Sequence, residues 1–281
     1  MSTTASAPST PSFWRRATKQ KRFLFGFTVT VLVVLFAVLA PFLAPYGEEE
    51  TAGAPYAKNG LFGTDYIGQD VLSRVMHGGQ GVLVISVLAT ILGMVLGILI
   101  GVVAAYAGGW WDEVLMRVND VLLAFPQILL ALVVLTALRN PAWWVIVLLI
   151  GVSHAPRVAR LARGVALGIV SRDFVVAAEA LGEKRSRVIA AEVLPNMTGP
   201  LLSEAGLRLT YSIGVVASLG FLGFAADPGA ANWGQMMNEN RLGLATQPWA
   251  VVAPVLMIAI FTIATNLMAD GLAQVSQTGD S

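Results

Sequence analysis

The residue types that carry most protein chemistry are scarce in this chain and wrongly spaced for it. None of the 281 residues is cysteine, so thiol nucleophiles, disulfides and cysteine-based metal sites are excluded. The two histidines, His77 and His154, lie far apart in sequence without the clustered partners of a zinc motif. Each reads as an interfacial or packing residue. Lys19, Lys21, Lys58 and Lys184 are followed by Gln, Arg, Asn and Arg. A phosphate-cradling loop needs Gly-Lys-Ser or Gly-Lys-Thr, so that backbone amides and the lysine hold the phosphates together. The chain is therefore expected to bind no nucleotide, metal or other cofactor by itself. The sequon Asn196-Met197-Thr198 falls in a segment assigned below to the cytoplasm and is a chance match.

Two other patterns do stand out. Gly93, Gly97 and Gly101 recur every four residues, extended by Ala89 and Ala105. Residues four apart share a helix face, so the pattern predicts a smooth ridge where another helix backbone approaches closely. The partner helix is either internal or from another subunit. The apolar stretches also hold almost no ionisable groups and offer instead the neutral polar side chains of Ser86, Thr90, Gln127, Thr136, Ser212, Ser218, Thr262, Thr265 and Asn266. Most of these suit hydrogen bonds between helices. Proton- and ion-coupled carriers place charged groups inside the membrane. Their scarcity here points to an external source of energy for any transport.

The elements that position these residues are membrane spans. Hydrophobic residues make up 56% of the chain and charged ones 12%, against about 25% charged in soluble domains. The mean hydropathy of +0.71 agrees. The first apolar run, residues 23–44, follows a basic tail and exceeds the roughly 20 residues that cross the hydrocarbon. It is also longer than the core of a secretory signal, so it reads as a retained anchor. Five further apolar stretches follow: 82–107, 121–138, 142–155, 209–226 and 249–269. The fourth of the six is short, and its helix is expected to continue into water with Arg157, Arg160 and Arg163 along one side. Placing both termini in the cytoplasm puts 14 of the 18 Lys and Arg residues inside, leaving Lys58, Arg74, Arg139 and Arg241 outside. The positive-inside rule selects that topology. The expectation is an all-α membrane protein with about six transmembrane helices.

The domain reading follows from these spans: a cytoplasmic basic tail (1–22), a first transmembrane helix (23–44) and an extracytoplasmic loop (45–81). A five-helix core (82–269) and a cytoplasmic tail (270–281) complete it. Within the core, residues 156–207 are too hydrophilic to span and too long for a turn. Asp173 to Leu181 places Phe174, Ala177, Ala178 and Leu181 on one face at helical spacing. Gly182 interrupts, and a charged run leads to a second helix expected to stop at Pro195. Such a segment either docks on another protein or lies on anionic lipid.

The stretch Phe174-Val-Val-Ala-Ala-Glu-Ala-Leu-Gly182, with Leu194-Pro195-Asn196, resembles the EAA loop of ABC importer permeases. That pattern runs Glu-Ala-Ala, three residues, Gly, nine residues, Ile-x-Leu-Pro. Ala177, Ala178, Gly182, Leu194 and Pro195 match, whereas Val176 replaces the Glu and Glu192 the Ile. Phe62-Gly-Thr-Asp-Tyr-Ile-Gly-Gln-Asp-Val-Leu-Ser-Arg74, with Gly78 close behind, resembles the conserved start of the dipeptide/oligopeptide/nickel importer permeases. Gln69 stands in place of the usual Arg. Asn232-Trp-Gly-Gln-Met236 and Asn266-Leu-Met-Ala-Asp-Gly-Leu272 are similar to that family's last extracytoplasmic loop and carboxyl end. The subunit type is the "C" member of the permease pair.

This resemblance implies a type I importer permease fold in a bacterial inner membrane. It implies a homologous permease as partner, two ATPase subunits holding ATP and magnesium, and an extracytoplasmic binding protein or lipoprotein. Membrane lipid is the remaining partner, and nucleic acid is not one. Ala177, Ala178, Glu179, Ala180, Leu181 and Gly182 would couple to the ATPases, and Gly93, Gly97 and Gly101 would pack helices. The expected role is half of the translocation path for dipeptides or short oligopeptides, without enzymatic activity in this chain. Nickel or another small solute, an ion-coupled carrier and a membrane scaffold are the alternatives.

Overall fold

Lipid offers no partners for backbone N–H and C=O groups, so a spanning segment satisfies them within itself. The computed structural model describes residues 17–138, 142–224 and 231–277. Its regular elements are helices, with two isolated bridges, Thr51–Gln69 and Thr64–Asp70, in the loop over residues 45–70. In chain order they are α1 (Lys21–Val38), α2 (Ala40–Leu43), α3 (Val71–Ala107), α4 (Gly109–Ala124), α5 (Gln127–Ala137) and α6 (Trp143–Val170). There follow α7 (Asp173–Ala180), α8 (Arg185–Val188), a π-helical turn (Ile189–Val193), α9 (Leu194–Asn196), α10 (Thr198–Phe221), α11 (Trp233–Asn240) and α12 (Trp249–Gln277).

Helix length and hydropathy account for four or five of the six expected crossings. Among the described residues, α1, α3, α6 and α12 are long and apolar enough to cross a membrane. The α4–α5 pair adds a fifth only as one crossing bent by 76°. Pro126 explains the bend, because it has no N–H to continue the helix from Phe125. The expected stretch at 209–226 corresponds to α10, and residues 225 and 226 lie outside the described residues. Its 24 residues extend about 36 Å. Their apolar pattern is broken by Glu204 and Arg208, which sit inside the helix as an ion pair.

The first expected span divides at Leu39, where the short α2 carries Pro41 in its first turn. The second begins eleven residues earlier than hydropathy suggests. Asp70 caps α3 by accepting the Ser73 N–H at 2.8 Å and its hydroxyl at 2.7 Å. The helix therefore starts at Val71 and carries Arg74, His77 and Gln80 within its first three turns. Gly108 and Gly109, both at positive φ, end it and turn the chain into α4.

The core is built on α3 and α6 lying against each other. A Cβ on Gly93 would come within 2.7 Å of the His154 Cβ and 2.9 Å of the Gly151 carbonyl oxygen. On Gly97 it would meet Val158 Cγ1 at 2.6 Å and the Ala155 carbonyl at 2.7 Å. On Gly101 it would meet Ala162 Cβ and the Arg163 nitrogen, both at 2.8 Å. These distances leave no room for a side chain, so α3 and α6 touch backbone to backbone. The helix facing the ridge belongs to this same chain. Gly26 and Gly271 serve α1 and α12 in the same way. The main apolar cluster joins Val82, Ile85, Leu135, Ile150, Ile213, Leu219, Trp233 and Phe261.

Pro195 does not stop the second cytoplasmic helix as expected. It lies in the first turn of α9, directly after the π-helical turn, and the helical path continues through Met197 into α10. The wider turn absorbs the hydrogen bond that proline cannot make, which is where π-bulges arise.

Candidate functional site

Three places concentrate polar or exposed groups beyond the needs of simple packing. The first is α7, the short helix that follows α6. Its inner face is Val175, which is buried in a small cluster with Val188, Val193 and Met197 against Val102, Ala105 and Ala162. Its outer face carries Phe174, Val176 and Ala177, and Leu181 beyond its end is 85% exposed. Gly182 lies at φ +81°. Its N–H donates to the Glu179 carbonyl at 2.9 Å, and the Glu183 N–H donates to that of Ala178 at 3.2 Å. That pair of bonds is a Schellman motif, which needs the left-handed conformation glycine tolerates. A Cβ there would meet nothing within 4 Å. Of the six residues singled out in sequence, Ala178 is half-buried, while Ala177, Glu179, Ala180, Leu181 and Gly182 face outward. The Tyr106 hydroxyl at the end of α3 donates to the Glu179 carboxylate, tying α7 to the spans.

The second place is the middle of the bundle. His154 is 1% exposed and its Nε2 lies 3.0 Å from the Ser212 hydroxyl, which in turn lies 3.0 Å from that of Thr90. Thus α3, α6 and α10 share one polar contact. Glu204 and Arg208 on α10 pair at 2.8 Å, both buried, with Arg208 stacked 5.0 Å from the Tyr211 ring. On α4, Asp120 and Asp112 pair with Arg160 and Arg163 of α6. The sequence marks His154 only as a packing residue and Arg208 only as one of the basic residues, without pairing it to Glu204. Their i,i+4 spacing was the available signal.

The third place is a polar cap formed by the 45–70 loop, the start of α3 and α11. Buried Arg74 bridges Asp65 at 2.5 Å and Glu239 at 3.1 Å. The other Asp65 oxygen accepts N–H bonds from Ile67 and Gln69. Tyr66 donates its N–H to the Asn240 side chain, and the Trp233 indole donates to the Val75 carbonyl at 2.7 Å. Burial holds the Tyr66 phenol above its ordinary range, with Glu239 adding to the effect. The cap thus fastens the 45–70 loop to the start of α3 and to α11. Among the described residues no group of three or more His, Cys, Asp or Glu side chains is placed to hold a metal ion.

A bundle of long apolar helices, with a short helix bearing exposed apolar side chains at one end and a polar cap at the other, fits a multi-span membrane protein. Solved structures of the MetNI methionine ABC transporter in inward-facing conformations share its fold. One superposes with a TM-score of 0.56 at 17% identity, covering 71% of this chain and 96% of that one. Residues 93–277 match the family described as binding-protein-dependent transport system inner membrane component. Residues 11–59 match the N-terminal TM domain of oligopeptide transport permease C. Glutathione transport system permease protein GsiD of Escherichia coli O6:K15:H31 is 35% identical over 265 residues, covering 92% of this chain and 87% of that protein. Its counterpart from Shigella dysenteriae serotype 1 is 36% identical over the same span.

The chain belongs to the inner-membrane permeases of the dipeptide/oligopeptide/nickel-type ABC importers. It is half of the permease of such an importer, a transport subunit and not an enzyme. Membership implies a second permease subunit, ATPase subunits and a substrate-binding protein as partners.

Proposed function

We propose that this subunit forms half of the translocation path for dipeptides or short oligopeptides, coupled through α7 to two separate ATPases. Relatives named for glutathione, itself a short peptide, support the substrate class. The observation that carries the coupling role is α7 itself, a two-turn helix with apolar side chains turned outward from a charged cytoplasmic segment. An exposed Leu181 in water, beside a glycine cap open on all sides, suits insertion into a groove of another protein. In this reading α10 is the sixth crossing, with both termini cytoplasmic, and the boundaries 1–22, 23–44, 45–81, 82–269 and 270–281 describe the topology. ATP binding closes the ATPase pair and moves α7, and hydrolysis resets it, a rigid-body switch between two states.

Gly182→Val tests the coupling. A β-branched residue at φ +81° costs about 1–2 kcal/mol of strain and places methyls where the ATPase groove would lie. The variant should insert and pair with its partner permease, while ATPase copurification and peptide uptake each fall about tenfold, the effect of about 1.4 kcal/mol. Gly168→Val, on the open cytoplasmic end of α6, should be much milder. Wild-type uptake by Gly182→Val would remove α7 from the coupling path.

A further inference from the structure

Helices that meet backbone to backbone move together, and such contacts sort the long helices into two groups. The glycine ridge of α3 fits against α6, and a Cβ on Gly151 of α6 would lie 2.8 Å from Leu92 Cδ2 of α3. A Cβ on Gly26 of α1 would lie 2.5 Å from the Met268 nitrogen of α12. One on Gly271 of α12 would lie 2.6 Å from the Phe23 nitrogen of α1. Gly206 of α10 admits Ala269 of α12 just as closely, and the hydroxyls of Thr210 and Thr265 lie 3.4 Å apart on the same pair of helices. One group is therefore α3 with α6, and the other is α1 with α10 and α12. Packing of this density transmits strain rather than absorbing it.

Between the groups the contacts are of another kind. At the polar cap both groups are fitted to α11, with Gly78 and Gly79 of α3 against Trp233 and Gly220 of α10 against Asn232. The Gln80 amide of α3 also donates to the Ala37 carbonyl of α1 at 2.9 Å. Away from the cap a 690 Å³ groove separates them, with Val34, Leu209 and Phe261 on one wall and Leu83 and Val87 on the other. Beside the groove they touch through apolar side chains and one set of directional bonds. The order of those bonds is fixed. Thr90 donates its only hydroxyl proton to the Ser86 carbonyl at 2.7 Å, so from the Ser212 hydroxyl it accepts. Ser212 then has no proton for His154, which donates through Nε2. His154 Nδ1 is left a bare acceptor. It is buried without a partner among the described residues, as are the Ser86 hydroxyl one turn along α3 and the Thr30 hydroxyl in the groove. Unmet buried groups along one seam mark an arrangement held at a cost.

We propose that the chain moves as two rigid halves, α3 with α6 and α1 with α10 and α12, jointed at α11. The His154–Ser212–Thr90 chain is the latch, closed in this structure and opened elsewhere in the transport cycle. Halves, joint and latch follow from contacts within the chain. Only the drive rests on the coupling role given to α7. That helix packs on α3 and α6 through Val175, and the chain beyond it enters α10 past the π-helical turn. A push on α7 therefore bears on both halves.

The absence of cysteine makes the test direct, on the complete transporter in vesicles. Thr90→Cys with Ser212→Cys spans the latch, and Thr210→Cys with Thr265→Cys lies within one half as the control. Trapping ATP with vanadate should slow disulfide formation at the latch about tenfold, the effect of losing one or two such bonds, and leave the control unchanged. The oxidised latch should hydrolyse ATP about tenfold more slowly until reduced, while the oxidised control keeps the wild-type rate. A latch indifferent to trapping, or full hydrolysis with the latch oxidised, overturns the opening. A control as sensitive as the latch overturns the two halves. Spin labels at Gly168→Cys and Gly214→Cys, one on each half with open space around both, follow the same motion without touching the latch. Their separation should change by about 2 Å or more on trapping, and an unchanged separation overturns the proposal. Adding Gly182→Val separates the drive from the device. The response to trapping should then disappear. A response that persists refutes α7 as the drive and leaves the latch standing.

Discussion

The two ends of the molecule are held by opposite means. At the polar cap, Thr64, Asp65, Asp70, Ser73 and Arg74 are each at most 4% exposed, and Asn240 is fully buried. Each makes a hydrogen bond or ion pair in a network joining the 45–70 loop, α3 and α11. Breaking one leaves a buried polar group without its partner, so the network has one arrangement that satisfies it. At the opposite end, α7 rests on the spans through buried Val175, half-buried Ala178 and one exposed hydrogen bond from Tyr106. Apolar contact is non-directional, and a helix held that way can shift a few ångströms without losing a specific bond. On the coupling role proposed above, the cap serves as a frame and α7 as a lever. That division suits a machine in which a motion applied at one face must reach the bundle without distorting the other.

Substitution at the helix ridge should remove both ends at once. Gly101→Val drives a branched side chain into the backbone of α6 at Arg163, where no rotamer change relieves it. Overpacking costs about 1–3 kcal/mol even where side chains yield, and here backbone would have to move. The expected result is loss of folded subunit from the membrane, measured as monodisperse protein after extraction. Near-normal yield would show that α3 and α6 separate more readily than their contact implies.

Next in size is the frame. Arg74→Gln leaves Asp65 buried with a lost counter-charge, which costs about 3–5 kcal/mol. The thermal midpoint of the purified subunit should fall by roughly 10 °C. If the midpoint moves by only a degree or two, the cap is not the rigid partner in the comparison. Leu181→Asp, at the lever, should leave that midpoint within about 1–2 °C of wild type, because exposed sites change stability by about 0.5 kcal/mol or less. ATPase copurification should nevertheless collapse, since a carboxylate would have to enter an apolar groove. A large fall in midpoint with ATPases still bound would reverse the assignment of frame and lever.

What was legible in sequence follows the same division. The Gly93–Gly97–Gly101 register gave the ridge, because residue size alone sets how near two helices come. The turn at Gly182 was legible too, since one residue type suits a left-handed cap. Hydropathy misjudged elements wherever polar groups are satisfied by partners distant in sequence. It took the first turns of α3 for loop because Arg74 reads as charged, although Asp65 and Glu239 neutralise it in the fold. It began the fifth stretch at residue 209, whereas α10 is helical from Thr198 and carries Arg208 paired with Glu204 one turn away. Pro195 read as a stop because no local pattern announces a π-helical turn ahead of it. The His154–Ser212 contact joins residues 58 apart, and no local spacing encodes it.

The smallest expected effect is the most direct probe of the lever. Among the described residues, the Tyr106 hydroxyl makes the one side-chain hydrogen bond between α7 and the spans, at an exposed site. Removing it by Tyr106→Phe forfeits about 0.5–1.5 kcal/mol at most, because water replaces the lost partner on Glu179. The ring stays, so packing beside Val102 and Ala105 is preserved. Stability, insertion and ATPase binding should therefore be close to wild type. Transmission should not be. If α7 moves as a body and this bond carries part of the motion to the end of α3, its loss lets the helix yield before the spans respond. ATP would still be hydrolysed, but fewer strokes would reach the path. Reconstituted transporter should then import about half as much substrate per ATP, while the ATPase rate stays the same. Glu179→Gln keeps a weaker, neutral acceptor for the same hydroxyl and should lie between Tyr106→Phe and wild type. Equal substrate per ATP in all three would place transmission in the apolar cluster around Val175 instead.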